Sequence, residues 1–190
     1  MEWHKGDPDL MADAALSNDA YNKTAKHKDE LYGWERDISL SGPDHAVYHK
    51  GGKAKIAYRG TNPSNYKDWL ADGLLTVGLQ DKSNRFKRAV RTAQQVKAKY
   101  GGDISVTGHS LGGAQAAYVS RAAGVKGTGF GAAMSPVDSH LRRRTYSNFH
   151  SISTFNDPIS SITHHHTRRI GKKTTVKGTK WDPHAMANYL

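Results

Sequence analysis

Ile104-Ser105-Val106-Thr107-Gly108-His109-Ser110-Leu111-Gly112-Gly113-Ala114-Gln115-Ala116-Ala117 is the stretch on which the fold turns. Ile104 to Thr107 has strand character. The chain then passes a glycine-flanked turn and enters a run of small, helix-compatible residues. Gly108-His109-Ser110-Leu111-Gly112 is a G-x-S-x-G pattern in the context of strand, sharp turn and helix that a nucleophile elbow requires. Such a turn forces the central serine into a strained backbone conformation, so no side chain fits close on either flank. Gly108 and Gly112 meet that need, and Gly113 and Ala114 let the following helix approach the sheet. The Ser110 hydroxyl is then raised above the sheet edge at a helix N-terminus. There the free backbone N–H groups favour a developing negative charge. Ser110 is therefore the candidate nucleophile.

Outward from this stretch, helical and strand patterns alternate. Asp7-Pro8 reads as an N-cap followed by proline at the first helical position, opening a helix to about Asn22 that would bury Leu10, Met11, Ala14 and Ala15. Trp34–Leu40, Ala46–Lys50 and Ala54–Arg59 read as strands, with Gly51-Gly52 as a hairpin turn. Tyr66–Leu75 is expected to begin helical. Residues 85–100 show the clearest amphipathic helix, with Phe86, Ala89, Val90, Ala93, Val96 and Tyr100 on one face and Lys and Arg on the other. Val125–Phe130 and Phe149–Phe155 read as further strands, Arg168–Gly178 as a polar hairpin, and Pro183–Leu190 as a short closing helix. The alternation after Ala54 predicts an α/β fold in a single domain over 1–190. Its central sheet is mostly parallel, with an antiparallel hairpin at the front edge and helices on both faces. In such sheets the site lies at the carboxyl ends of the strands. Arg59-Gly60-Thr61, Gly108-His109-Ser110 and Asn156-Asp157-Pro158 fall at such ends.

A serine hydroxyl needs a base, and the base needs an acid to orient it. Asp157 follows an apolar strand directly and is the candidate acid. Four histidines follow it: His164, His165, His166 and His184. The first three leave little chain for a loop that must arch back. His184, at the head of the last helical pattern, leaves ample room and is favoured as the base. The consecutive histidines point alternately to opposite sides of an extended chain, and no cysteine completes a metal site, so they read as a polar loop and no metal or other cofactor is expected. A tetrahedral intermediate needs two preorganised N–H donors. The backbone of Leu111 is the first candidate and Thr61, at the end of an earlier strand, the second.

The 190 residues carry 28 Lys and Arg against 17 Asp and Glu, a formal charge of +11, and no cysteine. Disulfides and thiol nucleophiles are therefore excluded. The basic residues cluster. Residues 82–100 hold seven Lys or Arg and no acid, and residues 140–180 hold nine, including Arg142-Arg143-Arg144, against Asp157. Such faces suit a polyanion, either an anionic membrane surface or, as the less favoured partner, nucleic acid. The N-terminus shows no signal-peptide pattern and no stretch has the length of a membrane span. A cytoplasmic protein, or one packaged in a viral particle, is the resulting expectation.

Five blocks in order, Ala57-Tyr58-Arg59-Gly60-Thr61-Asn62, Asp68-Trp69-Leu70-Ala71-Asp72, Thr107–Ala114, Phe155-Asn156-Asp157-Pro158-Ile159 and His184-Ala185-Met186, resemble the class 3 lipases, the fungal-type triacylglycerol lipase and phospholipase A1 group. The resemblance spans about residues 34–190. It implies an α/β-hydrolase fold, Ser110 as nucleophile, Asp157 and His184 as its partners, and Thr61 and Leu111 as oxyanion donors. It further implies a lipid ester substrate cleaved through an acyl-enzyme without a cofactor. The chain departs from that group in being short and in having a polar stretch, Gln80–Arg85, where an apolar lid would sit. The basic faces make phospholipid the better expected substrate than neutral fat. The alternatives are a hydrolase-fold module that binds nucleic acid or anionic surfaces, and a small-ester esterase or acyltransferase using the same residues.

Overall fold

The computed structural model describes residues 6–60, 84–133, 146–159, 170–178, 182 and 184–190, with the backbone alone at Tyr146, Ser147 and Ile170. Among these, seven strands form one sheet in the order β1 (Glu35–Gly42), β2 (His45–Lys50), β3 (Lys53–Tyr58), β4 (Ile104–His109), β5 (Lys126–Phe130), β6 (Tyr146–Thr154) and β7 (Ile170–Val176). β1, β2 and β3 pair antiparallel; from β3 onward every neighbour is parallel. The expected front hairpin turns at Gly51-Gly52, both with positive φ, which glycine adopts without steric cost. The described helices are α1 (Pro8–Asp19), α2 (Asn84–Tyr100) and α3 (Leu111–Ala123), with short 3-10 turns at Lys28–Leu31 and Met186–Tyr189. The α/β class and the mostly parallel central sheet are as expected.

One element differs from its sequence reading. Arg168–Gly178 was expected to fold back as a hairpin. Ile170–Val176 is instead one straight strand, β7, parallel to β6. Its polarity comes from its place at the sheet edge. Lys172 and Lys173 face solvent there and blunt an edge that would otherwise invite pairing, while Val176 is buried. The helix expected over Tyr66–Leu75, the polar stretch Gln80–Asp81-Lys82-Ser83, the Arg142–Arg144 segment and His164–His166 lie outside the described residues.

The two faces of the sheet are covered differently. α2 and α3 pack on one face, where Ile56, Tyr58, Ile104 and Val106 meet Ala89, Ala93, Val96 and Ala116 in an apolar core. This is the amphipathic face read from the sequence of α2, with Val90 and Tyr100 half-buried at its rim. α1 covers the other face and buries Ala14 as expected, but Leu10, Met11 and Ala15 are only half-buried, while Ala12, Asp13, Leu16, Ser17 and Asp19 are buried instead. The physical reason lies in the strands beneath. On this face β3, β4 and β5 present Lys55, Thr107 and Thr128, and α1 turns matching polar groups toward them.

Lys55 Nζ donates to Asp13 Oδ1 at 2.6 Å, and the Thr128 hydroxyl donates to Asp13 Oδ2 at 2.7 Å. The Ser17 and Thr107 hydroxyls are 2.9 Å apart. Burial pushes the Asp13 carboxyl above its ordinary range, against the opposing pull of Lys55 and the two hydrogen bonds. Further along, Asp19 accepts from the Tyr48 hydroxyl at 2.7 Å.

Removing one partner of a buried ion pair strands the other charge. Lys55→Met is expected to lower the unfolding free energy by about 3–5 kcal/mol, and Asp13→Leu/Lys55→Met by less than the single change. Because Asp13 without its cation is raised further, the loss in Lys55→Met should grow as pH rises and the stranded carboxyl ionises. Urea unfolding of the three proteins between pH 5 and pH 8 checks both statements.

Candidate active site

At the carboxyl end of β4 the chain reverses through Ser110 and enters α3. Ser110 has φ 57° and ψ −124°, one of three non-glycine residues with positive φ among the described residues. The strain is held by backbone bonds on both sides of the peptide. Ser110 N–H donates to the Phe130 carbonyl at 2.9 Å, and the Ser110 carbonyl accepts from Ala114 at 3.1 Å and Ala133 at 3.2 Å. The two flanking glycines are required by close approach. A Cβ on Gly108 would run into the backbone of Gly112, and one on Gly112 into the carbonyl of Tyr58. The elbow is thus pressed against the end of β3, and Gly60, just beyond that end, lies over the Ser110 side chain.

Asp157 sits in the turn after β6. Asn156 takes φ 68° there, and Asp157 Oδ1 accepts from the Ile159 amide at 2.9 Å. His184 Nδ1 lies 3.1 Å from both Asp157 oxygens, 27 residues earlier in the chain. A carboxylate can only accept, so Nδ1 carries the proton and donates, which leaves Nε2 as the basic nitrogen. Exposure is 7% for Ser110, 5% for His184 and 0% for Asp157. The carboxylate and the imidazole thus meet out of water, where their interaction is strongest. Leu111 occupies the first position of α3, where a backbone N–H has no intrahelical acceptor.

The structure therefore brings Asp157 to His184, and both to the strand end that carries Ser110. Thr61 and the alternative histidines His164, His165 and His166 lie outside the described residues. Three residues at this site were not singled out in the sequence. His109, the variable position of the motif, is buried and its Nε2 lies 2.7 Å from the His184 carbonyl. Gly131, at φ 51° after β5, lies against Asp157 and His184; a Cβ there would lie 3.1 Å from Asp157 Oδ2 and from His184 Nδ1. Tyr21, after α1, accepts the Gly60 N–H at 2.9 Å. Gly131 was legible in principle, as a glycine at the end of a parallel strand. Tyr21 carried no local signal, because its partner is 39 residues away.

The sequence pattern of the phospholipase-like family, Tle-like phospholipase domain, matches residues 12–154, which include the elbow. The chain belongs to this family. The match ends three residues before Asp157, so neither Asp157 nor His184 lies within it. An extracellular phospholipase A1 of Serratia liquefaciens is 33% identical over 93 residues, which is 49% of this chain and 28% of that protein. The chain therefore aligns with well under half of that relative's length. No helix among the described residues is long and apolar enough to cross a membrane.

The close approach at Gly112 predicts a folding defect independent of any activity. Gly112→Ala is expected to cost about 1–3 kcal/mol or more, since backbone, not a flexible side chain, must yield. A shift of the urea midpoint checks this, with Gly124→Ala, whose added Cβ meets open space but whose φ is positive, as the comparison for backbone strain alone.

Proposed function

We propose that the protein is a serine hydrolase of lipid carboxylic esters, a phospholipase of the α/β-hydrolase type related to the class 3 lipases. The observation that carries this reading is the buried His184–Asp157 contact at 3.1 Å, tied through the His184 carbonyl to His109, the residue before the strained elbow serine. In the proposed reaction His184 Nε2 takes the Ser110 proton and Ser110 Oγ attacks the ester carbonyl. The oxyanion is held by the Leu111 N–H and by Thr61. His184 returns the proton to the departing alcohol, water enters by the same base, and the acyl group leaves as carboxylic acid. Asp157 holds the Nδ1 proton and offsets the charge of the imidazolium. Membership in the phospholipase-like family and the relation to a phospholipase A1 support phospholipid over neutral fat.

The basic face of α2 supports the same substrate class. Arg85, Arg88 and Arg91 line a cavity of about 300 Å³ with Tyr58 and Gln115, and Asp44 is its acid. Arg85 donates to the Arg59 carbonyl at 2.6 Å, one residue before Gly60, so this positive wall adjoins the turn that faces Ser110. Guanidinium groups beside the ester-cleaving centre suit a phosphodiester head group.

Ser110→Ala is expected to lower turnover of a short-chain nitrophenyl ester by a factor on the order of 10⁶ with the fold intact by circular dichroism. Near-native turnover in that variant would remove Ser110 from the mechanism. His184→Ala should be comparably inactive, whereas replacing His164, His165 and His166 together by Asn should retain activity; the reverse pattern would transfer the base to the histidine run.

Each basic side chain near an anionic bilayer contributes about 1 kcal/mol of attraction, screened beyond a Debye length. Hydrolysis should therefore be faster on phosphatidylglycerol-containing vesicles than on phosphatidylcholine alone, and salt should narrow the difference. Arg88→Gln/Arg91→Gln should reduce it as well. Equal rates on both vesicles at low salt would assign the basic face to another polyanion, for which the salt slope of DNA binding is the next measurement.

A further inference from the structure

His184 stands on a short segment after β7 and outside the sheet, and a base carried on such a segment must be held by its own backbone. Two of its bonds are local. His184 N–H donates to Asp182 Oδ1 at 3.2 Å, and Ala185 N–H donates to the Asp182 carbonyl at 3.3 Å. A third reaches 75 residues back, where the His184 carbonyl accepts from His109 Nε2 at 2.7 Å. His109 is the last residue of β4 and the immediate neighbour of Ser110. One dipeptide at a rigid strand end thus carries the candidate nucleophile and grips the candidate base.

The surroundings of His109 fit this use. Its ring lies 4.7 Å from that of His184, tilted by 34°, so the clamp also abuts the imidazole it positions. Tyr21 meets it edge-on at 6.5 Å and Tyr189 lies tilted against it at 6.2 Å, which leaves the ring little freedom. A carbonyl only accepts, so the His109 proton resides on Nε2. Burial, and secondarily the nearby His184 ring, push the His109 imidazole down to about 3, against the weaker opposing effects of its hydrogen bond to the His184 carbonyl and of Asp157. The facing groups are His184, Asp157, Tyr21 and Tyr189. His109 therefore stays neutral wherever His184 works as a base, adds no positive charge beside the imidazolium formed in turnover, and is no competing base.

We propose that His109 is a positioning residue: its Nε2–H clamps the His184 carbonyl and sets the base against the nucleophile one residue away. The proposal rests on the esterase reading above. Two variants separate the hydrogen bond from the packing. His109→Phe keeps a ring and loses the donor; His109→Gln loses the ring and offers an amide N–H at similar reach. With a short soluble ester, His109→Phe should lower kcat by about 10- to 100-fold with KM changed by less than about twofold, since a base misplaced by about 1 Å loses rate, not affinity. His109→Gln should recover most of that loss. A merely structural ring would show the opposite order, with Phe better than Gln.

Nitrogen-detected NMR of histidine-labelled wild-type protein reads the clamp without any turnover. His109 should appear as the neutral Nε2–H form and show no titration from about pH 5 to 8, the range in which an ordinary histidine changes charge. A titrating His109, or one protonated on Nδ1, would overturn the clamp even if the enzyme is active and even if His109→Phe fails to fold. Unchanged kcat in a folded His109→Phe would overturn the positioning role. Absence of ester turnover in the wild-type protein would overturn the esterase reading, and the role with it, while leaving the NMR result to stand on its own.

Discussion

At the carboxyl end of β4 two stretches of backbone come closer than any side chain permits. The Gly112 α-carbon lies against the carbonyl of Tyr58, and that of Gly108 against Gly112 itself. The start of α3 must therefore pass directly over the end of β3, and Ser110 between them is forced to φ 57°. Such a conformation costs on the order of 1–3 kcal/mol and persists only where its surroundings overdetermine it. Here three backbone bonds, from Phe130, Ala114 and Ala133, hold the Ser110 peptide from both sides. The sheet order follows the same constraint. β3 and β5 flank β4, and each lends the elbow a contact.

The rest of the site is hung from neighbouring strand ends. β5 ends at Phe130, whose carbonyl caps the Ser110 amide, and continues into Gly131, whose missing side chain leaves room for Asp157 and His184. β6 ends two residues before Asn156, whose left-handed turn brings Asp157 inward. The His184 segment lies outside the described strands, and its hydrogen bond to His109 draws it to β4, which ends next to Ser110. Asp157, His184 and Ser110 thus come from distant parts of the chain but gather at the carboxyl end of one sheet.

The two faces of that sheet solve different problems. The α2–α3 side is an apolar core. The α1 side has two apolar clusters, one around Leu16, Trp34 and Ala57 and one around Ala14, Phe130 and Tyr189, joined by a seam of paired polar groups, Asp13 with Lys55 and Thr128, Ser17 with Thr107, and Asp19 with Tyr48. Buried polar pairs contribute little net stability compared with apolar contacts of the same volume, but each tolerates only one alignment of its partners. The seam ties Asp13 and Ser17 of α1 to β3, β4 and β5. The loop after α1 then delivers Tyr21 to the Gly60 amide beside Ser110.

Most of the architecture was legible because it depends on local rules. Strand, turn and helix around Ser110 follow from glycines flanking a serine between β-branched and small residues. The amphipathic period of α2 follows from its burial on one side, and the parallel sheet from the alternation of elements. Asp157 and His184 could be named as candidates from chain order and loop length, since those quantities are one-dimensional. The polar part of the buried face of α1, Asp13, Ser17 and Asp19, could not be read, because these residues are buried only by virtue of partners on strands that are remote in sequence. β7 was read as a hairpin for a related reason: a polar edge strand and a polar hairpin have the same composition, and only the free edge beside β6 distinguishes them. The sequence by itself determined where the chain turns and which side chains can do chemistry. Tertiary structure alone decided which of them meet: the carboxylate of Asp157 with the imidazole of His184 across 27 residues, and the ring of His109 with the His184 carbonyl across 75. Such contacts depend on how strand ends are stacked in space, and that is a property of the packed sheet, not of any segment within it.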